Sequence, residues 1–261
     1  MQVTAATLAA IAGSAENDNM RSTVEGLQRF GVGAGLERPA RLAMYFGQLS
    51  HESMGWVFDR EVWGPTAAQL RYEGRADLGN TQPGDGYLFR GRSPIHITGR
   101  ANYAEFTAWA RKMDPAAPDF VANPDAVNTD PWEGLGPIWY WDTRNINRLA
   151  DAGDYEAVTR KINGGLNGYE DRKQRYGHAA LALMGRNPRG IRGYQMAVGL
   201  TPDGIVGRNT IASLHTTLSG MQPVAFSRPK PTVHPPLFKP EPVKPLSSFF
   251  AWMGSLFGGK R

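Results

Sequence analysis

Two glutamates nine residues apart carry side chains suited to acid–base chemistry. Glu52 and Glu61 lie in QLSHESMGWVFDREVW, residues 48–63. Cleavage of a glycosidic bond needs a protonated carboxyl at the leaving oxygen and an ionised carboxylate that activates water or attacks the sugar. Glu52 follows a largely apolar stretch that favours its neutral form, whereas Glu61 follows Asp59 and Arg60 and can stay ionised. Solvated surface carboxylates are the alternative, because most glutamates are exposed.

The elements around this pair are predicted to be mainly helical. RPARLAMYFGQLSHES, residues 38–53, has the apolar pattern of a buried helix that ends near Gly55, with Glu52 in or near its last turn. The glycine-rich stretch 74–99 favours loops and short strands. Further helices are predicted from about residue 102 to 112 and from about residue 132 to 141.

Composition excludes several kinds of site. The 261 residues are 41% hydrophobic and 20% charged, as in an ordinary globular protein. Cysteine is absent, which excludes disulfides, thiolate metal sites and a cysteine nucleophile. The five histidines lack the i, i+3 or i, i+4 spacing of metal ligands, and the glycine-rich stretch lacks a Walker lysine. We therefore expect neither a metal nor a cofactor.

Basic residues are concentrated in the C-terminal part. Residues 186–261 hold 10 Lys and Arg against two acids, which leaves 19 basic and 22 acidic residues in 1–185. This asymmetry predicts contact with an anionic surface, such as a bacterial envelope or a phospholipid membrane. A nucleic-acid partner is not predicted, because the tail lacks the interleaved aromatic platforms that bind single strands.

Three motifs resemble one enzyme family. HES at 51–53, YLFRGRSPIHITGRANY at 87–103 and TRKINGGLNGYEDRKQRY at 159–176 occur in the order and at the spacing found in the catalytic domain of glycoside hydrolase family 19. This chitinase-like fold is also used by bacteriophage endolysins, and the resemblance covers roughly residues 1–185. It implies a mainly α, lysozyme-like α+β fold, with a two-lobed helical domain and a small β and loop region.

The resemblance also implies roles for individual residues. Glu52 becomes the general acid, Glu61 the base that activates water, and Thr98 the hydroxyl that helps to hold this water. Inversion is implied, with carboxyls about 6.5 to 9.5 Å apart. The residues expected to bind substrate are His51, Tyr87, Arg90, His96, Asn102, Asn163 and Arg172.

Some positions depart from the family pattern or have a structural alternative. His96 stands where many relatives carry glutamine, Ser93 replaces a glycine, and Asn167 stands where plant members keep a glutamate. These departures bear on substrate preference more than on reaction type. Arg172 could instead form a surface ion pair, and Asn163 could be a turn residue. Aromatic residues such as Tyr87, Trp56 and Trp63 are more often core than sugar platforms.

The C-terminal region carries a second, shorter resemblance. YQMAVGLTPDGIVGRNTIASL, residues 194–214, resembles the second half of a peptidoglycan-binding domain, with a turn at 202–204 and a second helix capped near Asn209 or Thr210. A structural helix-turn-helix is the alternative. We predict four regions: a catalytic domain at 1–185, this half-repeat at 186–220, a proline-rich linker at 221–246 and an apolar, basic segment at 247–261.

These observations favour an endolysin that hydrolyses the glycan strands of peptidoglycan as a monomer. The N-terminus lacks the basic region of a signal peptide, which predicts synthesis in the host cytoplasm and action at the wall after release. The tail could contact an anionic membrane. The alternatives are a chitinase acting on chitin and a virion component that binds the wall without catalysis.

Overall fold

The computed structural model describes residues 2–226, and the proline-rich linker and the apolar C-terminal segment lie largely outside these residues. Within them the chain forms twelve α-helices. Their bounds are α1 Ala5–Ala12, α2 Asp18–Phe30, α3 Pro39–Glu52, α4 Ala67–Leu70, α5 Asp85–Leu88, α6 Arg100–Met113, α7 Trp132–Thr143, α8 Ile146–Asp151, α9 Tyr155–Asn163, α10 Tyr169–Leu183, α11 Ile191–Ala197 and α12 Arg208–Ser219. Two 3₁₀ turns span Ala76–Leu78 and Pro124–Asn128.

Helix α3 forms the centre of the core. Eleven of its 14 residues are buried, and it packs along α10. The two backbones approach closely at Gly47, where a Cβ atom would lie 2.8 Å from the Tyr176 Cα atom and 2.7 Å from the Tyr155 hydroxyl. Only glycine permits this approach. The crossing brings the end of α3, which carries Glu52, beside the start of α10.

The glycine-rich middle differs from the prediction of short strands. Between residues 53 and 99 the chain forms turns, short helices and the isolated bridges Arg60–Arg92 and Arg92–Ile97. The buried Arg92 side chain, rather than a β-ladder, holds this stretch together. Its guanidinium donates to the Asp125 carboxylate at 2.6 Å, to the Tyr103 hydroxyl at 2.8 Å and to a backbone carbonyl at 2.9 Å.

The C-terminal helices α11 and α12 pack against the same core. Their buried side chains include Ile191, Tyr194 and Leu214, and α12 contacts both α3 and α10. The buried Gln195 amide accepts from the Gly204 N–H at 2.8 Å and donates to Asp203 at 2.8 Å. The glutamine and the Asp-Gly turn of the half-repeat motif therefore hold each other in place.

Helix boundaries follow the sequence prediction with small differences. Helix α3 ends at Glu52 rather than at Gly55, and α6 begins two residues before the predicted start. Helix α12 begins at Arg208 after Gly207, which lacks a capping side chain, rather than at an Asn209 or Thr210 cap. No helix within residues 2–226 has the length and hydropathy needed to cross a membrane.

Candidate active site

Glu52 is held by a buried arginine. The Arg172 Nη2 atom donates to Glu52 Oε1 at 2.6 Å, and only 1% of the Arg172 side chain is exposed, against 21% for Glu52. The rest of the guanidinium is fixed by Gln48 Oε1 at 2.6 Å and by the Asn167 carbonyl at 3.0 Å. Within residues 2–226, Glu52 Oε2 has no hydrogen-bond partner. This oxygen therefore remains for a substrate.

The environment predicted for Glu52 was wrong in one respect. The apolar helix led us to expect a desolvated carboxyl without a charged partner nearby. The Arg172 cation, 120 positions away in the chain, lies against it instead. Arg172 is accordingly a buried ion-pair partner rather than a surface one.

A chain of buried polar contacts connects α3 with α9 and α10. The Gln48 amide donates to the Thr159 hydroxyl at 2.7 Å, and that hydroxyl donates to the Tyr155 carbonyl at 2.9 Å. The Tyr155 hydroxyl in turn donates to the Arg172 carbonyl at 2.8 Å. Since buried polar groups without partners are costly, this network fixes the Arg172 position tightly.

Glu61 lies on an irregular segment and is held by two neutral donors. The Tyr72 hydroxyl donates to Oε1 at 2.9 Å, and the Gly91 N–H donates to Oε2 at 2.9 Å. Burial and the neighbouring Glu61 carboxylate raise the pKa of Tyr72 to about 12, so this hydroxyl stays protonated. The two donors fix the orientation of the Glu61 carboxylate.

Gly91 makes close contacts on both sides. A Cβ atom at this position would lie 3.0 Å from the Glu61 Cγ atom and 3.1 Å from the His96 Cβ atom. A larger residue would push both side chains away. Arg92, whose buried guanidinium is fixed by the contacts given above, follows Gly91 directly. The Gly91 N–H that donates to Glu61 is therefore held in place.

His96 lies close to Glu61, because the two side chains flank Gly91. Its Nε2 atom is buried and has no hydrogen-bond partner within residues 2–226. Burial lowers the pKa of His96 despite the opposing attraction of Glu61 and Glu52, so the imidazole is neutral near pH 7. One imidazole thus lies within the electrostatic reach of both glutamates. Both predicted carboxylates therefore act electrostatically on the same imidazole.

Thr98 and Asn102 form a short chain beside His96. The Thr98 hydroxyl donates its proton to the His96 carbonyl at 2.8 Å. It can therefore accept a hydrogen bond from a water molecule but cannot donate one. The Asn102 amide donates to the Thr98 carbonyl at 2.8 Å, and its oxygen accepts from Arg144 at 3.0 Å. Asn102 therefore links Thr98 to Arg144 through the two ends of its amide.

Tyr87 offers an exposed ring. Half of the residue is exposed, at 51%, and its ring packs edge-on against Trp63 with the ring centroids 5.3 Å apart. The Arg90 guanidinium lies 4.3 Å from the Tyr87 centroid and donates to the Tyr87 carbonyl at 3.1 Å. Trp56 is fully buried in the core, whereas Trp63 is only half-buried. Tyr87 and Trp63 are therefore the aromatic side chains available to stack against a sugar.

His51 and Asn163 differ in what they offer a ligand. The His51 Nδ1 atom lies 2.7 Å from the Asp171 carboxylate, and this hydrogen bond lowers the pKa of Asp171 to about 2. His51 is therefore engaged with α10, and within residues 2–226 no hydrogen bond joins its side chain to Glu61 or Thr98. Asn163 ends α9, and its side-chain oxygen is buried without a partner within residues 2–226.

Two residues of this site were not predicted. Gln48 lies four residues before Glu52 on α3, and this i, i+4 spacing could have placed it on the same helix face. Tyr72 follows Glu61 by 11 residues through an irregular segment, so no periodic pattern could have paired them.

Known proteins support the family resemblance. No family model matches the chain. A glycosyl hydrolase family 19 domain-containing protein from Haemophilus influenzae is 33% identical over 173 residues, which covers 55% of this chain and 80% of that protein. The acidic 27 kDa endochitinase of Solanum lycopersicum is 33% identical over 149 residues, which covers 49% of this chain. The chain spans only 55% of that endochitinase.

Solved structures confirm the mainly helical fold. Chitinase C from Streptomyces griseus superposes with a TM-score of 0.55 at 19% identity, over 71% of this chain and 78% of that one. A bacterial family 19 chitinase gives a TM-score of 0.53 at 21% identity, over 71% of this chain and 96% of that one. The sequence relatives show more than the fold: the chain belongs to glycoside hydrolase family 19.

Proposed function

We propose that the protein hydrolyses the β-1,4 glycosidic bonds of bacterial peptidoglycan, with Glu52 as general acid and Glu61 as general base. One observation carries this proposal: both carboxylates are held by fixed donors, Glu52 by the buried Arg172 guanidinium and Glu61 by the Tyr72 hydroxyl and the Gly91 N–H. A sugar linkage bound beside His96 would then have Glu52 on one side and Glu61 on the other.

The two carboxylates would take different roles. Glu52 Oε2, the oxygen left free by Arg172, would carry the proton that passes to the leaving oxygen. Glu61, fixed by Tyr72 and Gly91, would take a proton from the attacking water, whose oxygen forms the new bond to the anomeric carbon. The glycosidic bond breaks as this bond forms, and the configuration inverts. Thr98 would accept a hydrogen bond from that water.

Other residues would bind the glycan on either side of this centre. Tyr87 has the exposure needed for a sugar platform, and Arg90 keeps its ring in position. Asn163 has an oxygen available for a sugar hydroxyl or amide. Asn102 and His51 would act indirectly, because their side chains are engaged by Arg144 and Asp171.

Peptidoglycan is preferred as substrate because of the half-repeat at 194–214, which resembles a wall-binding module and packs on the same core. An endolysin made in the host cytoplasm and released to the wall fits this combination. Chitin is the second candidate, because the plant relatives are named endochitinases. Both polymers contain β-1,4-linked N-acetylated sugars, so the same carboxylates would serve either substrate.

The test compares the two polymers directly. Purified Gram-negative sacculi and colloidal chitin are incubated with the wild-type protein, and new reducing ends are measured, with Glu61→Gln as the inactive control. The proposal expects release from sacculi, and mass spectrometry of the fragments then identifies the bond that is cut. Release from chitin alone would transfer the assignment to a chitinase.

A further inference from the structure

A cavity separate from the carboxylate pair lies between α9, α10 and α12. Its volume is about 620 Å³, within the range of pockets that bind small ligands. Neither Glu52 nor Glu61 lines it, and none of its lining residues hydrogen-bonds to either carboxylate. The side chains that give it chemical character are Asp154, Glu156, Tyr169, Lys173, Arg208 and Ile211.

The cationic side of this cavity includes a free guanidinium. Arg208 is exposed at the start of α12, and its side chain makes no ion pair or hydrogen bond within the described part of the chain. Lys173 is only 14% exposed, lies 2.8 Å from Glu170 and sits 5.0 Å from the Tyr169 ring centroid. A carboxylate entering the cavity would meet both cations, and arginine can bind it through two parallel hydrogen bonds.

The anionic side is formed by the start of α9. The Asp154 carboxylate accepts from the Ala157 N–H at 2.9 Å as the helix cap, and Glu156 pairs with Arg160 at 2.9 Å on the surface. Both carboxylates keep further acceptor capacity. An amino group in the cavity would therefore also find a partner.

Arg208 connects this cavity to a second one on the C-terminal helices. The second cavity measures about 340 Å³ and is lined by Thr201, Asp203 and Asn209 as well as by Arg208. A ligand longer than one residue could therefore extend from the catalytic helices onto the half-repeat.

We propose that the larger cavity binds the peptide stem of peptidoglycan. This inference rests on the proposed function, since it concerns the same polymer. A peptide stem carries several carboxylates and an amino group, which match the charges of the lining. Chitin carries neither of these groups in its N-acetylated form. The cavity would thus hold the wall polymer through its peptide while the glycan lies near Glu52 and Glu61.

The test is an NMR titration of the full chain with the tripeptide L-alanyl-γ-D-glutamyl-meso-diaminopimelate, which contains no glycosidic bond. We expect shifts of the amide signals at 152–156 and 208–212. Arg208→Ala should weaken binding about tenfold. Arg148→Ala removes an exposed, unpaired arginine that does not line the cavity, so it should bind as the wild type does.

Three results would overturn the inference: no shifts at millimolar peptide, shifts confined to other residues, or equal affinity of Arg208→Ala and the wild type. A tripeptide whose carboxyls are all converted to amides should not bind. If this amidated peptide bound as tightly as the unmodified tripeptide, the charge argument would also be rejected. These results are independent of the proposed function. Peptide binding without cleavage of sacculi rejects only the proposed function, whereas cleavage without peptide binding rejects only this inference.

Discussion

The surroundings of Glu52 and of Glu61 are built in different ways. Glu52 ends a 14-residue buried helix, and its partner Arg172 follows 120 residues later on the helix that packs against it. Glu61 lies on an irregular segment and is held by Tyr72, 11 residues away, and by a backbone N–H. The acid is thus positioned by packing of the core, and the base by local turns. Substitutions around the acid should lower stability and activity together, whereas those around the base should lower activity alone.

The largest expected effect is removal of either carboxylate. Glu52→Gln and Glu61→Gln should each lower kcat by about 10³-fold, because each eliminates one proton transfer. Initial rates on sacculi, with circular dichroism as a check of folding, measure this. A folded variant that keeps more than a tenth of the wild-type rate would contradict the assignment of its carboxylate.

Loss of the Arg172 guanidinium should affect both properties. Arg172→Ala leaves Glu52 and Gln48 without their buried partner, and we expect it to lower the free energy of unfolding by about 3 kcal/mol. Urea denaturation measures this loss, and kcat should fall in the same variant. Arg160→Ala is the control, because it removes an exposed pair with Glu156 and should change stability by less than about 1 kcal/mol. Equal losses in the two variants would refute the claim that packing positions the acid.

The buried carboxyl of Glu133 should make stability depend on pH. Burial, and to a lesser extent the nearby Asp59 and Asp130, raises the pKa of Glu133 to about 8. Because the folded state then holds a proton that the unfolded state releases, stability is greatest below the unfolded pKa and is lost as the pH rises towards 8. The free energy of unfolding should fall by about 2 kcal/mol between pH 5 and 7, relative to Glu133→Gln.

Thermal or urea unfolding across this pH range tests the Glu133 assignment. Glu170 is the matched control, since its side chain is 79% exposed and Glu170→Gln should leave the pH profile of the wild type unchanged. A wild-type profile that runs parallel to that of Glu133→Gln would show that Glu133 ionises normally in the folded protein.

The smallest expected effect lies at the hydroxyl that holds the base. Tyr72→Phe removes one of two donors to Glu61, and we expect kcat to fall about tenfold with little change in stability. Tyr176→Phe is the control, because its buried hydroxyl has no partner within residues 2–226 and does not contact Glu61. A loss of stability in Tyr72→Phe as large as that in Arg172→Ala would contradict the contrast between the surroundings of Glu52 and those of Glu61.

The same contrast determines what the sequence could predict. Helix α3 and the position of Glu52 at its end follow from an apolar pattern, and α6 and α7 were predicted to within a few residues. The partner of Glu52 could not be derived from periodicity, because ion pairs between distant helices depend on how those helices pack. The motif resemblance did include Arg172, although not its contact with Glu52.

Prediction was weaker for the base. The segment from 53 to 99 is organised by single contacts, such as the Arg92 guanidinium with Asp125 and Tyr103, and these leave no regular pattern in the sequence. The loops predicted for the glycine-rich stretch are present, but the short strands predicted with them are not, and Tyr72 was missed. His96 was identified by the resemblance, but its position next to Glu61, on the other side of Gly91, became visible only in the structure.

The most direct test of the central claim is the configuration of the first product. Proton NMR during the first minutes of hydrolysis of soluble peptidoglycan strands distinguishes the α from the β anomer at the new reducing end. If water attacks between Glu52 and Glu61, the α anomer must appear first and then equilibrate. Initial release of the β anomer would require a double displacement, through a carboxylate or the N-acetyl group of the sugar itself, and would contradict the assignment of Glu61 as a base that activates a directly attacking water.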